Sequence, residues 1–179
     1  MRRLRYGVAV SLDGFIAGPH GEYDWIVRDP AIDFAAIYAQ FDTFLMGRKT
    51  YEVAKPMRQD RGGDSTRWVV VSTTLDPALE PGITVISTGV AQAVAGLKAE
   101  PGPEPRKDIW LFGGGVLFRS LLDAGLVDAL DLMVIPVLLG AGIPLLPEGR
   151  RAPLHLKESQ ALASGILQLK YDVLPDSPA

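Results

Sequence analysis

The chain has 179 residues, 47% of them hydrophobic, a net charge of −3 from 18 basic and 21 acidic side chains, and no cysteine. That length suits one domain whose core needs no disulfide or metal staple, and the missing cysteines exclude thiolate zinc sites and a cysteine nucleophile. Without a basic surplus to neutralise phosphates no nucleic-acid partner is expected, and no membrane span either, because Pro136, Gly140, Gly142 and Pro144 break the most apolar stretch.

The basic start Arg2-Arg3-Leu4-Arg5 leads into a stretch interrupted by Ser11, Asp13 and Gly14. No cleavable signal is therefore expected, and the cysteine-free composition reads as cytoplasmic. Leu4 to Val10 reads as a first strand, with turn chemistry at Ser11-Leu12-Asp13-Gly14 and Phe15-Ile16-Ala17 as a short continuation. Phe34, Ile37, Tyr38 and Phe41 fall at helical spacing, which predicts a helix over 32–41 started by Asp29 and Pro30. Thr43 to Met46 reads as a short buried strand, Arg48 to Ala54 as a short helix, and 56–66 as a polar surface loop.

Trp68-Val69-Val70-Val71, within 67–72, is the kind of apolar run that is buried on both faces of a sheet. Ile83 to Ile86 is another strand, Thr88 is expected to cap a helix through Leu97, and Pro101, Pro103 and Pro105 mark a loop. Asp108 to Phe112 then reads as a strand, Val116 to Ala124 as a helix and Ala129 to Ile135 as a strand. Alternation in His155 to Ala163 and in Gly165 to Leu174 predicts an antiparallel hairpin around Ser164-Gly165. Strands alternating with helices and ending in a hairpin define an α/β domain with a mixed sheet, expected to occupy 1–174 with a frayed tail at 175–179.

Two strand-to-helix junctions carry glycine: Met46-Gly47-Arg48-Lys49-Thr50 and Phe112-Gly113-Gly114-Gly115-Val116. A helix start offers unpaired N–H groups and the positive end of the helix dipole, and glycine lets an anion approach the backbone. Two such turns in one small domain point to a ligand with a pyrophosphate between them. A phosphate-binding P-loop would need Gly directly before Lys49, where Arg48 stands, and a Rossmann fingerprint would need a third glycine where Phe118 stands. For either turn taken alone, a tight connection without a ligand is an equal reading.

The order Ala9-Val10-Ser11-Leu12-Asp13-Gly14-Phe15-Ile16-Ala17-Gly18, Trp25, Phe44-Leu45-Met46-Gly47-Arg48-Lys49-Thr50-Tyr51-Glu52 and Gly113 to Gly115 resembles the dihydrofolate reductase superfamily. The Ser-Leu-Asp-Gly opening and the segment Pro136 to Leu145 are similar to its bacterial branch related to the riboflavin-pathway pyrimidine reductase, the RibD C-terminal-like domain. The resemblance implies a dihydrofolate reductase-like three-layer α/β fold with a twisted, mixed, mostly parallel eight-stranded sheet, and it implies NADPH as cofactor. Carried over position by position, Gly47, Arg48, Lys49 and Thr50 would hold phosphates at one helix start, and Gly113, Gly114, Gly115 and Val116 would do so at the other. Arg48, Ser72 and Thr73 would meet the 2′-phosphate, while Ala9 and Ile16 would line the nicotinamide. Lys49 reads equally well as a solvated lysine, and Ser72 and Thr73 as a plain loop opening.

Dihydrofolate reductases place a carboxylate on the first helix, and here Pro30 occupies that position, bracketed by Asp29 and Asp33. Asp29 is expected to cap the helix, leaving Asp33, one turn inside it, as the acid candidate. Trp25 reads as a packing residue, and Glu22 and Asp24 as solvent-facing. Arg58, Arg61 and Arg67 are the basic side chains that could meet a ribosyl phosphate. The resemblance implies an NADPH-dependent reductase of a small aminopyrimidine- or pterin-like heterocycle, like 5-amino-6-(5-phosphoribosylamino)uracil reductase, and a homodimer. The competing expectation is a non-catalytic nucleotide-binding module on the same fold. No metal is implied.

Overall fold

The computed structural model describes residues 1–58, 66–101 and 106–175. Strand β1 (Leu4–Ser11) runs through the centre, and its turn leads to β2 (Phe15–Ala17). Helix α1 is Phe34–Tyr38, β3 is Phe41–Gly47 and α2 is Arg48–Ala54, which a tighter turn of helix extends over Lys55–Arg58. Then come β4 (Arg67–Val71), β5 (Ile83–Ile86), α3 (Val90–Ala99), β6 (Asp108–Gly113) and α4 (Gly115–Asp123). The chain closes with β7 (Ala129–Ile135), β8 (Ile143–Pro144), β9 (Leu154–Ala161) and β10 (Leu167–Val173).

Eight strands pair in the order β5-β4-β3-β6-β1-β7-β10-β9, while β2 and β8 form a separate two-stranded sheet. The pairs from β5 through β7 are all parallel, and β10 joins antiparallel to both β7 and β9. Helices cover both faces, because α3 and α4 bury Val94, Phe118 and Leu121 on one side and α2 buries Tyr51 and Ala54 on the other. The result is the three-layer, mostly parallel architecture expected from the sequence. Trp68, Val69 and Val70 are buried, as a strand covered on both faces requires.

An aromatic layer fills the space between the sheet and α1. Trp110 lies against Tyr38, Phe41, Phe44 and Phe112, with ring centroids 4.9–5.5 Å apart. Its indole also crosses β1 at Gly7, donating to the Gly7 carbonyl at 2.9 Å. A Cβ on Gly7 would stand 2.5 Å from that indole nitrogen, so this strand glycine is explained by packing.

Several local expectations are corrected. The helix foreseen over 32–41 shrinks to α1, because Phe41 is buried beside Trp110 and opens β3 opposite Asp108. Its N-cap is Asp33, whose carboxylate accepts from the Ala36 N–H at 2.9 Å; Asp29 instead accepts from Ala31 in the preceding turn. Helix α3 starts after Gly89, which sits at the cap position with φ 60° where Thr88 was expected to cap. Phe15–Ala17 does not continue β1 but leaves the main sheet to pair with β8. The terminal hairpin is present with shorter strands than expected. Residues 176–179 of the expected tail, Arg61 and part of the 56–66 and 100–106 loops lie outside the described residues. Among the described residues, no helix is long and apolar enough to cross a membrane.

Candidate active site at the carboxyl ends of the strands

Strand order places β3, β6 and β1 side by side although they are far apart in sequence, and a crevice at their carboxyl ends is where open α/β sheets bind ligands. Both glycine turns open there. Met46 pairs with Gly113 across the β3–β6 ladder, so the starts of α2 and α4 are neighbours. Neither start has a side-chain cap: Gly47 and Gly114 occupy the N-cap positions in extended conformation. The first N–H groups of both helices therefore lack the local acceptor that a Ser, Asp or Asn would supply.

Glycine is required at this junction for steric reasons as well. Gly113 has φ 148° and is joined to Gly114 by a cis peptide. A Cβ on Gly113 would come within 3.1 Å of Thr50 Oγ1. At Gly47 an added Cβ would meet nothing within 4 Å, which leaves open space in front of α2. Gly115 is closed from the other side, where a Cβ would lie 2.7 Å from the Pro144 carbonyl oxygen.

The remaining residues named from the sequence have different degrees of freedom. Arg48 is exposed and pairs with Glu52 one turn on, at 3.1 Å. Lys49 is exposed and has no ion-pair partner among the described residues, and Thr73 and Val116 are exposed. Ser72 is buried, and its hydroxyl accepts from Thr74 and Leu75 N–H at 3.2 and 3.0 Å, so it shapes the turn after β4. Ala9 and Ile16 are half-buried on either side of the β1–β2 turn. Trp25 packs against the Ile32, Ile135 and Ile166 group, as expected of a packing residue.

The acid expectation changes. Asp33 is not one turn inside the helix but at its cap, where its carboxylate serves the backbone. Asp29 is buried, and the Ser164 hydroxyl and then the Ala31 N–H hold its carboxyl below the usual carboxylate range. Asp108 and Asp131 are both tied to Arg5. Arg58 and Arg67 do not reach the crevice: Arg58 donates to the Pro81 and Gly82 carbonyls and Arg67 pairs with Glu100, at the amino ends of β5 and β4. A cavity of about 410 Å³ also lies at that amino-terminal edge, lined by Arg3, Asp128, Arg150 and Asp172. Its Arg3 and Asp172 neutralise one another, far from the glycine turns.

Sequence reasoning singled out Pro136 to Leu145 for its resemblance alone and missed that the segment closes on the start of α4, where the Pro144 and Leu145 carbonyls face Gly115. The signal was present in Gly142, whose backbone lies against Ala17 and Phe15 too closely for any side chain.

A mostly parallel sheet with helices on both faces and two neighbouring uncapped glycine starts at the carboxyl ends of its strands define a dihydrofolate reductase-like α/β fold. The model of the RibD C-terminal domain matches residues 2–168, and the chain belongs to that family. It is 33% identical over 181 residues to the uncharacterized protein YyaP of Bacillus subtilis (strain 168), covering 95% of this chain and 94% of that one. Among solved structures it is similar to a Shewanella sp. PV-4 protein ascribed to riboflavin biosynthesis, with TM-score 0.80, 24% identity and coverage of 97% and 99%. It is also similar to the dihydrofolate reductase of Enterococcus faecalis, solved with NADP(H), with TM-score 0.66, 19% identity and 96% coverage of each chain.

Proposed function

We propose that the chain is an NADPH-dependent reductase of a small aminopyrimidine- or pterin-like heterocycle. The observation that carries the reading is the adjacency of the two uncapped helix starts at Gly47 and Gly114, which offers backbone donors to two linked phosphates. The open space at Gly47 fits close approach of such a group. Gly47, Arg48, Lys49 and Thr50 would hold it from α2, and Gly113, Gly114, Gly115 and Val116 from α4. Arg48 and Thr73, beside the turn shaped by Ser72, suit a 2′-phosphate. Bound there, NADPH supplies a hydride. Ala9 and Ile16 give the reacting end an apolar wall that excludes water.

Steady NADPH oxidation with pterins, aminouracils and quinazolines tests the reading. Turnover with one class supports it, and binding without turnover by any member favours the second reading, a non-catalytic nucleotide-binding module. The observation behind that second reading is that Asp29 and Asp33, which bracket Pro30, both spend their carboxylates on local backbone groups.

A homodimer is part of the proposal. Leu154, Leu156 and Leu167 share one face of the β9–β10 hairpin and are 41%, 48% and 37% exposed, an apolar surface at a free sheet edge. Light scattering should give twice the chain mass, and a monomer at micromolar concentration would refute it.

A further inference from the structure

The turn after β1 and the loop after β7 are joined by one carboxylate. Asp13 Oδ1 accepts from the Ser11 hydroxyl at 2.6 Å. Its two oxygens also accept from the Leu139 N–H, at 3.1 and 3.0 Å, and Oδ2 accepts from the Gly140 N–H at 2.7 Å. Two successive N–H groups aimed at one anion form a small nest, which Gly140 completes with φ 73°. The Ser11 oxygen in turn accepts from the Phe15 N–H at 2.9 Å, so the same cluster fixes the start of β2.

From that anchor the loop runs as a wall along the crevice. Gly142 lies so close to β2 that an added Cβ would stand 2.3 Å from the Ala17 carbonyl oxygen. Residues of β8 pair with β2, and the Leu145 N–H donates to the Gly14 carbonyl at 2.8 Å. The Pro144 and Leu145 carbonyls then rest on Gly115, the first residue of α4. A continuous path of contacts thus leads from Asp13, beside Ile16, to the helix start that the proposed function gives to phosphate.

We propose that Asp13 is a positioning residue that holds the 137–147 wall against the first turn of α4 and so sets the affinity of the crevice for its dinucleotide. This inference rests on the cofactor reading above. Hydrogen bonds to a charged acceptor are the strong ones, and only a carboxylate can accept from the hydroxyl and both amides at once. An amide in its place keeps the shape but turns a donor toward a donor. The wall then loses its anchor without losing any core side chain, because Asp13 is exposed.

The test is Asp13→Asn in the full chain, with two readouts. Hydrogen exchange without ligand should quicken at least roughly 10-fold over Leu139 to Leu145, the loss of one charged hydrogen bond, and stay unchanged in β3 and β6. The dissociation constant for NADPH should rise by a similar factor, while adenosine 2′,5′-bisphosphate, which reaches only toward Arg48 and Thr73, binds as before. Unchanged exchange in the loop would overturn the proposal, as would wild-type NADPH affinity in the variant. Equal weakening of both ligands would also overturn it, since that marks a general loosening of the fold. If the wild-type chain bound no NADPH, the cofactor reading itself would fall, and the exchange arm would still decide whether Asp13 anchors the wall. Ser11→Ala, which removes the hydroxyl that orients the carboxylate, is the second variant should Asp13→Asn not fold, with the same effects expected in smaller measure.

Discussion

Thr50 in the first turn of α2 sits directly against Gly113 at the end of β6, with its hydroxyl oxygen 3.1 Å from where a Cβ on that glycine would be. Two turns separated in sequence by β4, β5 and α3 are thereby packed into one junction.

Gly113→Ala should accordingly damage both fold and site. At φ 148° an alanine is strained and also crowds Thr50, so a loss above about 1 kcal/mol is expected by urea unfolding. NADPH binding should fall more than stability, because α4 would be displaced from α2. A variant as stable as the wild type would contradict this.

Arg48→Ala isolates the charge at the open side of the junction. Its pair with Glu52 is exposed, so stability should change by no more than about 0.5 kcal/mol. The preference for NADPH over NADH should be lost, as read from the two dissociation constants. An intact preference would remove Arg48 from the 2′-phosphate site.

Tyr6 offers the opposite test, a substitution expected to do no harm. It is fully buried, stacks on Phe118 at 4.0 Å and has no hydrogen-bond partner for its hydroxyl among the described residues; burial pushes that hydroxyl's pKa well up. Leaving a buried hydroxyl unpaired is costly, so Tyr6→Phe should stabilise the chain by about 1 kcal/mol in thermal unfolding. A clear destabilisation would mean that the hydroxyl has a partner.

Acid stability follows from carboxylates held by donors. Asp29, beside Ser164 and the Ala31 N–H, and Asp13, beside Ser11 and the Gly140 N–H, titrate below the ordinary 3.8. A carboxyl lowered on folding contributes stability above its unfolded value and loses it as pH falls through the folded one. Stability should therefore be level from neutrality to about pH 5 and decline below about pH 4. Asp29→Asn should lower the plateau and flatten the decline, and an unchanged acid limb would exclude Asp29 as a contributor.

The sequence made most of this architecture legible because its strands are short apolar runs with clear punctuation, such as Trp68 to Val71 before a polar turn. The glycine turns were legible for the same reason. What misled was local ambiguity settled by long-range contacts. Phe41 has the spacing of a helix face, yet the burial it gains beside Trp110 places it in β3. Asp29 and Asp33 are both good caps, but Asp29 is drawn to Ser164, which is far away in sequence and adjacent in space. Asp13 looked like turn chemistry because its partners, Leu139 and Gly140, are backbone groups that carry no side-chain signature.

Thermal unfolding with NADPH, with NADH and without ligand tests the central claim most directly. Ligand at about 100 times its dissociation constant adds roughly 2.7 kcal/mol, several degrees in Tm for a chain of this size. A rise of that size is expected with NADPH and a smaller one with NADH at equal concentration. No rise with either at millimolar concentration would contradict that claim and leave the turns at Gly47 and Gly113 as connections only.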